Sequence, residues 1–371
     1  MEKVFLLVDN MRIGGFQRLA LDQAYGLSEA GYLVTIFVLD DLPGTETPNF
    51  LGIENDLIFK LQINIVSLGN SRRIHLVNLF CLASDFRGAK MILSHSLRAT
   101  FFLFLAAGSK LKFLRVITTI HQLPTLSAPR QRLQRFIYAQ FTWKLFAYSN
   151  AVVADWNFRF EKNQSFISKF SFKEISLLRN GIYLKRLPSV KSDLNQSRKP
   201  RLIFLGRNTS WKGVSTFLEI ASQPSLKDFD ILFMVPKSED IKLSGLNTDL
   251  LDRIEIIAGK TLSSYKPRRG DVHLYPANYG NGARFIESVS LNCLELACVG
   301  TPTLLTKGGL ETWPDLLGYR IFHETDWQDY LKVANQISEI SNIDLAEETV
   351  RTLASRIDIS HQINQLHTIF R

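Results

Sequence analysis

Cysteine is scarce in this 371-residue chain, with only Cys81, Cys293 and Cys298. Their number and spacing exclude a disulfide framework or a cysteine-built zinc site and fit a reducing cytoplasm. Long apolar runs are also missing. The most apolar later stretch, 101–107, is bounded by Arg98 and Lys110, well short of the ~20 residues that span a bilayer, so no membrane crossing is expected. At the amino terminus, MEKVFLLVDNMRIGG, Asp9, Asn10 and Arg12 break the apolar run at once. It therefore reads as a first strand and not as a signal peptide. There is no Gly-x-Gly-x-x-Gly fingerprint and no Gly-x4-Gly-Lys-Ser/Thr loop, which sets aside a nicotinamide dehydrogenase and a P-loop hydrolase. No short-period repeat or low-complexity segment is visible.

Acids are scarce in one region. Between Leu57 and Ala154 stand thirteen basic residues and one acid, Asp85. The formal charge of +9 therefore sits in the first half: residues 1–190 hold 23 basic and 13 acidic side chains, and the remainder 21 and 22. Leu111, Phe113, Phe136, Phe141 and Trp143 interleave with the cations. Such a face suits an anionic leaflet, at about 1 kcal/mol per Lys or Arg near the surface; a solvated basic surface is the alternative. Without a nucleic-acid motif beside the charge, nucleic acid is not an expected partner.

What the chain does contain is 46% hydrophobic and 21% charged residues, a globular composition, in a length that suits two domains. Apolar runs of strand length at 4–8, 33–39, 63–68, 91–94, 116–120, 151–154 and 175–178 alternate with helical patterns, the first of them at 16–30 and stopped by Gly31. From Asn180-Gly181 to Pro200 the chain turns polar and irregular, as linkers do. Alternation then resumes, with strands at 201–205, 230–235, 253–258, 272–274 and 303–305 and helices at 213–221 and 291–299. The expectation is an α/β protein with two Rossmann-like, doubly wound domains, 1–185 and 186–355. A carboxy-terminal segment, 356–371, holds an amphipathic helix free to pack back on the first domain.

Four groups of residues carry chemistry. Gly14-Gly15 follow the first strand, where bare amides at a helix start can approach a phosphate or sugar, although a tight turn needs the same residues. Arg207 and Lys212 lie in Gly206-Arg-Asn-Thr-Ser-Trp-Lys-Gly213 after a buried strand, where a pyrophosphate meets a donor fork, a mobile ammonium and helix amides. Glu287 and Glu295, with seven residues between them, can face one pocket from two depths and accept paired hydroxyls, one from a sugar and one from a ribose. Between them, the amides of Ser288, Val289, Ser290, Leu291 and Asn292 point at phosphate oxygens as a helix begins, and an acid in that first turn also stabilises the helix dipole. His121 and His95 each end a first-domain strand, where a His can bond a sugar hydroxyl or remain a structural core residue.

In this order the motifs resemble glycosyltransferase family four, retaining enzymes of the GT-B fold. The resemblance rests on Gly14-Gly15, His121, Arg207 with Lys212, Glu287 with Glu295, Gly300-Thr301-Pro302 and Gly308-Gly309, and on Asn180-Gly181 closing the first domain. It implies two Rossmann-like domains facing across a cleft and a nucleotide-sugar donor. Arg207 and Lys212 fall on its diphosphate, Ser290, Leu291 and Asn292 beside it, Glu295 on the ribose and Glu287 on the sugar. It further implies catalytic roles for His121 and Glu287 and a glycan or lipid-linked acceptor in surface polysaccharide or glycolipid synthesis, while His95, from its place at a strand end alone, is a candidate acceptor contact. No cofactor or metal is expected, because the cations stabilise the departing diphosphate. The expected location is the cytoplasm, peripheral on the inner face of the plasma membrane. Val289-Ser290 replaces the family's usual Phe-Gly, and 278–284 is more polar than the family's pattern. A nucleotide-sugar epimerase of the same architecture and a non-catalytic scaffold are the alternatives.

Overall fold

In the computed structural model the described residues are 1–11, 14–39, 55–70, 73–74, 86–107, 115–120, 149–153, 175–188, 198–207, 212–236, 247–259, 262–277, 289–307, 309–310, 313–316, 318–343 and 345–370. They form two compact units, Met1–Tyr183 with Ile359–Arg371, and Leu184–Asp358.

The first unit opens with β1 (Lys3–Val8), α1 (Gly15–Glu29) and β2 (Leu33–Val38). Helix α1 starts at Gly14, whose carbonyl accepts from Arg18 N at 3.0 Å. It ends at Gly31, left-handed at φ 90°, where Gly31 N bonds Ser28 O and Tyr32 N bonds Leu27 O. That pair of bonds closes a Schellman turn and satisfies the last carbonyls. After α2 (Asn55–Lys60) come β3 (Asn64–Ser67), a small antiparallel pair β4 (Gly69–Asn70) and β5 (Arg73–Ile74), β6 (Ala89–Ser94) and α3 (Leu97–Ala107). Strands β7 (Val116–Ile120), β8 (Ser149–Val153) and β9 (Ile175–Leu177) complete a parallel sheet in the order β3-β2-β1-β6-β7-β8-β9.

Alternation along β1 sorts its side chains to two faces. Val4, Leu6 and Val8 pack with α1, while Phe5 and Leu7 join Phe37, Phe86 and Phe104 beneath α3, as a sheet covered on both sides requires. The face with α1 is closed by the last helix of the chain, Ile359–Phe370. Its Ile359, Ile363 and Leu366 are buried there, and Gln362 Oε1 accepts from Gln23 at 2.9 Å. Two glycines permit this approach. A Cβ on Gly26 would stand 2.9 Å from Ile359 Cγ2, and one on Gly181 2.9 Å from Ile359 Cα, which gives Asn180-Gly181 a steric role.

The second unit repeats the plan with β10 (Arg201–Leu205), α4 (Val214–Ala221), β11 (Asp230–Val235), α5 (Thr248–Leu251), β12 (Ile254–Ala258) and β13 (Val272–Tyr275). Helix α6 (Leu291–Cys298), β14 (Thr303–Thr306), β15 (Phe322–Thr325), α7 (Tyr330–Ser341) and α8 (Glu347–Ile357) follow, and the terminal helix is α9. All pairings in the sheet, β12-β11-β10-β13-β14-β15, are parallel. Below the strands' amino ends, buried Asp271 accepts from Arg201 N, Nε and Nη2, Tyr265 OH and Arg268 N. This fully satisfied carboxylate joins β10 to β13 at the end away from their carboxyl termini. Among the described residues no helix is long and apolar enough to cross a membrane.

Candidate functional site

In both sheets the chain order reverses beside the first strand, at β1/β6 and at β10/β13. A doubly wound sheet opens a crevice at the carboxyl ends of such a pair, because the helices after the two strands leave to opposite faces. Gly14-Gly15 and His95 flank the first reversal, and Arg207, Lys212 and Pro276 the second. His121 and Glu287 lie outside the described residues, as do Ser288, Gly308 and 278–284.

At the second reversal three contacts draw separate segments together. Asn292 Nδ2, in the first turn of α6, donates to Leu205 O at the end of β10 at 2.9 Å. The start of α6 is thereby stapled beside Gly206 (φ 144°) and the exposed Arg207. Gly213 precedes α4 at φ 72°, and a Cβ there would stand 2.0 Å from Pro276 O. Only glycine lets the loop after β10 lie against the loop after β13.

Lys212 is buried and is not the mobile ammonium that the motif suggests. Its Nζ donates to Tyr275 OH and stands 4.4 Å from that ring's centroid. Beneath it, His273 is wholly buried, with Nδ1 3.2 Å from Thr303 Oγ1. Burial, and after it the Lys212 charge, push the imidazole down to about 3 from an ordinary 6.5, so it is neutral. The phenol of Tyr275 and the neutral ring allow an ammonium to sit in this floor.

Ser290 precedes α6 at φ −70°, ψ 158°, with Oγ 3.2 Å from Cys293 Sγ. Leu291 and Glu295 are buried. Glu295 lies one turn beyond Asn292, and its Oε1 accepts from Arg186 Nη2. In this ion pair the two side chains are 7% and 4% exposed. Arg186 ends the single turn Leu184–Arg186 that opens the second unit. Cys298 stays a thiol, its pKa raised first by burial and next by the Glu295 charge. Helix α6 finishes at Gly300 (φ 83°) with Gly300 N on Ala297 O and Thr301 N on Leu296 O. Thr301 Oγ1 then meets Tyr265 OH at 2.8 Å. Gly300-Thr301-Pro302 is thus the stop that aims α6 at the reversal.

At the first reversal, His95 is buried behind the strand ends, with its amide on Leu7 O at 2.9 Å. More exposed groups stand beside it. Asp9 Oδ1 accepts from Ser96 Oγ at 3.0 Å and lies 3.9 Å from Arg98 Nη1. Sequence reasoning identified Arg207, Lys212, Asn292 and Glu295, but not Arg186, Tyr275 or His273. Of these, Tyr275 and His273 carried a signal, since they alternate with core residues at the end of a strand. Among the described residues no three His, Cys, Asp or Glu side chains are grouped to hold a metal ion.

No family model and no curated protein matches the chain. Solved structures do. A glycosyltransferase from Rickettsia africae ESF-5 aligns with a TM-score of 0.68 at 15% identity, over 100% of this chain and 97% of that one. HepE (Alr3699) of Anabaena, solved with UDP-glucose, gives 0.65 at 12% identity, over 100% and 99%. An alpha-glucosyltransferase solved with UDP and DNA containing an HMU base gives 0.65 at 13% identity, over 100% and 99%. At such identities the likeness is one of fold: the chain has the GT-B architecture of these glycosyltransferases, with two Rossmann-like domains in one polypeptide.

Proposed function

We propose that the chain is a glycosyltransferase that moves a sugar from a nucleoside diphosphate donor to a glycan or lipid-linked acceptor, in the manner of the retaining enzymes of family four. The observation that carries this reading is the assembly at the second strand reversal. There Asn292 staples the start of α6 to the end of β10 beside Arg207, Gly213 lets the Lys212 loop lie against the loop after β13, and the buried carboxylate of Glu295 follows one turn along α6. A diphosphate fits the cations and the helix start, and a ribose diol fits the carboxylate.

During transfer the bond between the anomeric carbon and the diphosphate oxygen breaks, and negative charge gathers on the leaving diphosphate. Fixed cations and amides stabilise that charge more in the transition state than before it. Lys212 is already held on Tyr275, so little reorganisation precedes its use. Glu287 is assigned to the donor sugar and His121 to the reacting centre by their places in the motif. Arg207 and Lys212 supply the positive charge, so the reading calls for no metal. The acceptor belongs to the first unit, where Asp9, Ser96 and Arg98 stand at the strand ends.

Calorimetry with uridine, guanosine and adenosine diphosphates, followed by donor turnover with and without acceptor, tests the reading. UDP leads the panel because solved neighbours of this fold carry UDP or UDP-glucose. Binding of one diphosphate is expected, and Arg207→Ala or Lys212→Ala should lower transfer by about 10²-fold or more. Near-normal turnover in both variants, or no binding to any diphosphate, overturns it. Donor isomerisation without acceptor identifies an epimerase instead.

A further inference from the structure

The Arg186–Glu295 pair joins the first turn of the second unit to the first turn and a half of α6, across 109 residues of sequence. A carboxylate this buried needs a partner, because desolvation without one costs several kcal/mol. Arg186 provides one through Oε1 and leaves Oε2 with no hydrogen bond among the described residues. An ionised carboxylate offers about four acceptor positions. One is taken by the guanidinium, and the rest suffice for two vicinal hydroxyls. A guanidinium donates from a rigid planar group, so it holds Oε1 in a more defined direction than a flexible lysine ammonium can.

The geometry points to Arg186 as the residue that positions Glu295 to read the pentose of the donor, so that discrimination between ribose and deoxygenated sugars depends on an arginine that does not itself touch the diphosphate. This rests on the donor-site reading above. Arg186 sits at the connection between units, where the neighbouring Ile182 carbonyl accepts from Ile359 N at 2.9 Å.

The test measures affinities for the uridine, guanosine and adenosine diphosphates, their 2′,3′-dideoxy counterparts and inorganic pyrophosphate, on the full chain. Wild type is expected to prefer the ribose form by about tenfold or more. Arg186→Met should erase most of that preference while leaving pyrophosphate within about twofold, and Arg186→Lys should fall between. In a double-mutant cycle, Arg186→Met should add nothing to Glu295→Gln. If the methionine variant does not fold, the lysine variant carries the same comparison. A preference unchanged in Arg186→Lys, or an equal loss on ribose and dideoxy forms, overturns the inference, since a merely structural role weakens all ligands alike. A fall in pyrophosphate affinity also overturns it by placing Arg186 on the phosphates. If wild type binds no diphosphate, the donor-site reading fails; if wild type discriminates and the variants still do, only this inference fails.

Discussion

His273 shows how the site's charge is supported from within. It lies at 0% exposure on β13, below Lys212, and its folded value of about 3 is below the ordinary 6.5. Between those two values the unfolded chain takes up a proton that the folded chain refuses. Stability is therefore fully present above pH 6.5, falls as the pH is lowered through 6.5, and stops falling near pH 3. By pH 5 the loss from this one residue is about 2 kcal/mol. Urea denaturation at pH 7.5 and pH 5 should show it, and His273→Asn, which keeps a polar group for Thr303, should flatten the difference. An equal acid loss in both proteins refutes the assignment. The cations and carboxylates assigned to the donor stood out in the sequence because each lies in a short motif beside a strand end. Arg186 did not, because its partner lies 109 residues away, and Tyr275 and His273 showed only their alternation along β13, their partners lying 63 and 30 residues away. Such a pairing leaves no local pattern.

At the scale of the element, every apolar run that read as a strand became one, because parallel strands covered on both faces are nearly continuous in hydrophobicity. The elements without such a signal were not assigned. β15 (Phe-His-Glu-Thr) has a single large apolar residue, and α8 (Glu-Glu-Thr-Val-Arg-Thr-Leu-Ala-Ser-Arg-Ile) buries only Val350, Leu353 and Ile357. Helix α9 was visible from its apolar stripe, but what that stripe covers is decided by Gly26 and Gly181. Ile363, 3% exposed in the core with α1, gives a direct measure of this packing. Ile363→Ala should cost about 2–5 kcal/mol by leaving a cavity between α9 and α1. Hydrogen exchange should then quicken in α1 and in the central strands of the first sheet. Unchanged protection in those elements contradicts the packing.

For the whole molecule, the division of charge follows the division of structure. The unit made of Met1–Tyr183 and Ile359–Arg371 holds 22 basic and 13 acidic residues, while Leu184–Asp358 holds 22 of each. All of the net +9 is thus carried by the unit to which the acceptor is assigned, and the unit to which the anionic donor is assigned is neutral in sum. If donor binding alone required positive charge, the excess would fall on the other unit. A lipid-linked acceptor presented at an anionic leaflet accounts for it, since each cation near such a surface contributes about 1 kcal/mol and the attraction fades within a Debye length of about 8 Å. Vesicles rich in phosphatidylglycerol should therefore sediment with the protein at low ionic strength and release it in about 0.5 M salt, where screening is nearly complete. Neutral phosphatidylcholine vesicles should not sediment with it. Because a neighbour of the same fold was solved with DNA, duplex DNA is the necessary competitor. If DNA displaces the vesicles at equal charge, or if charged and neutral vesicles bind alike, the basic unit does not serve an anionic membrane.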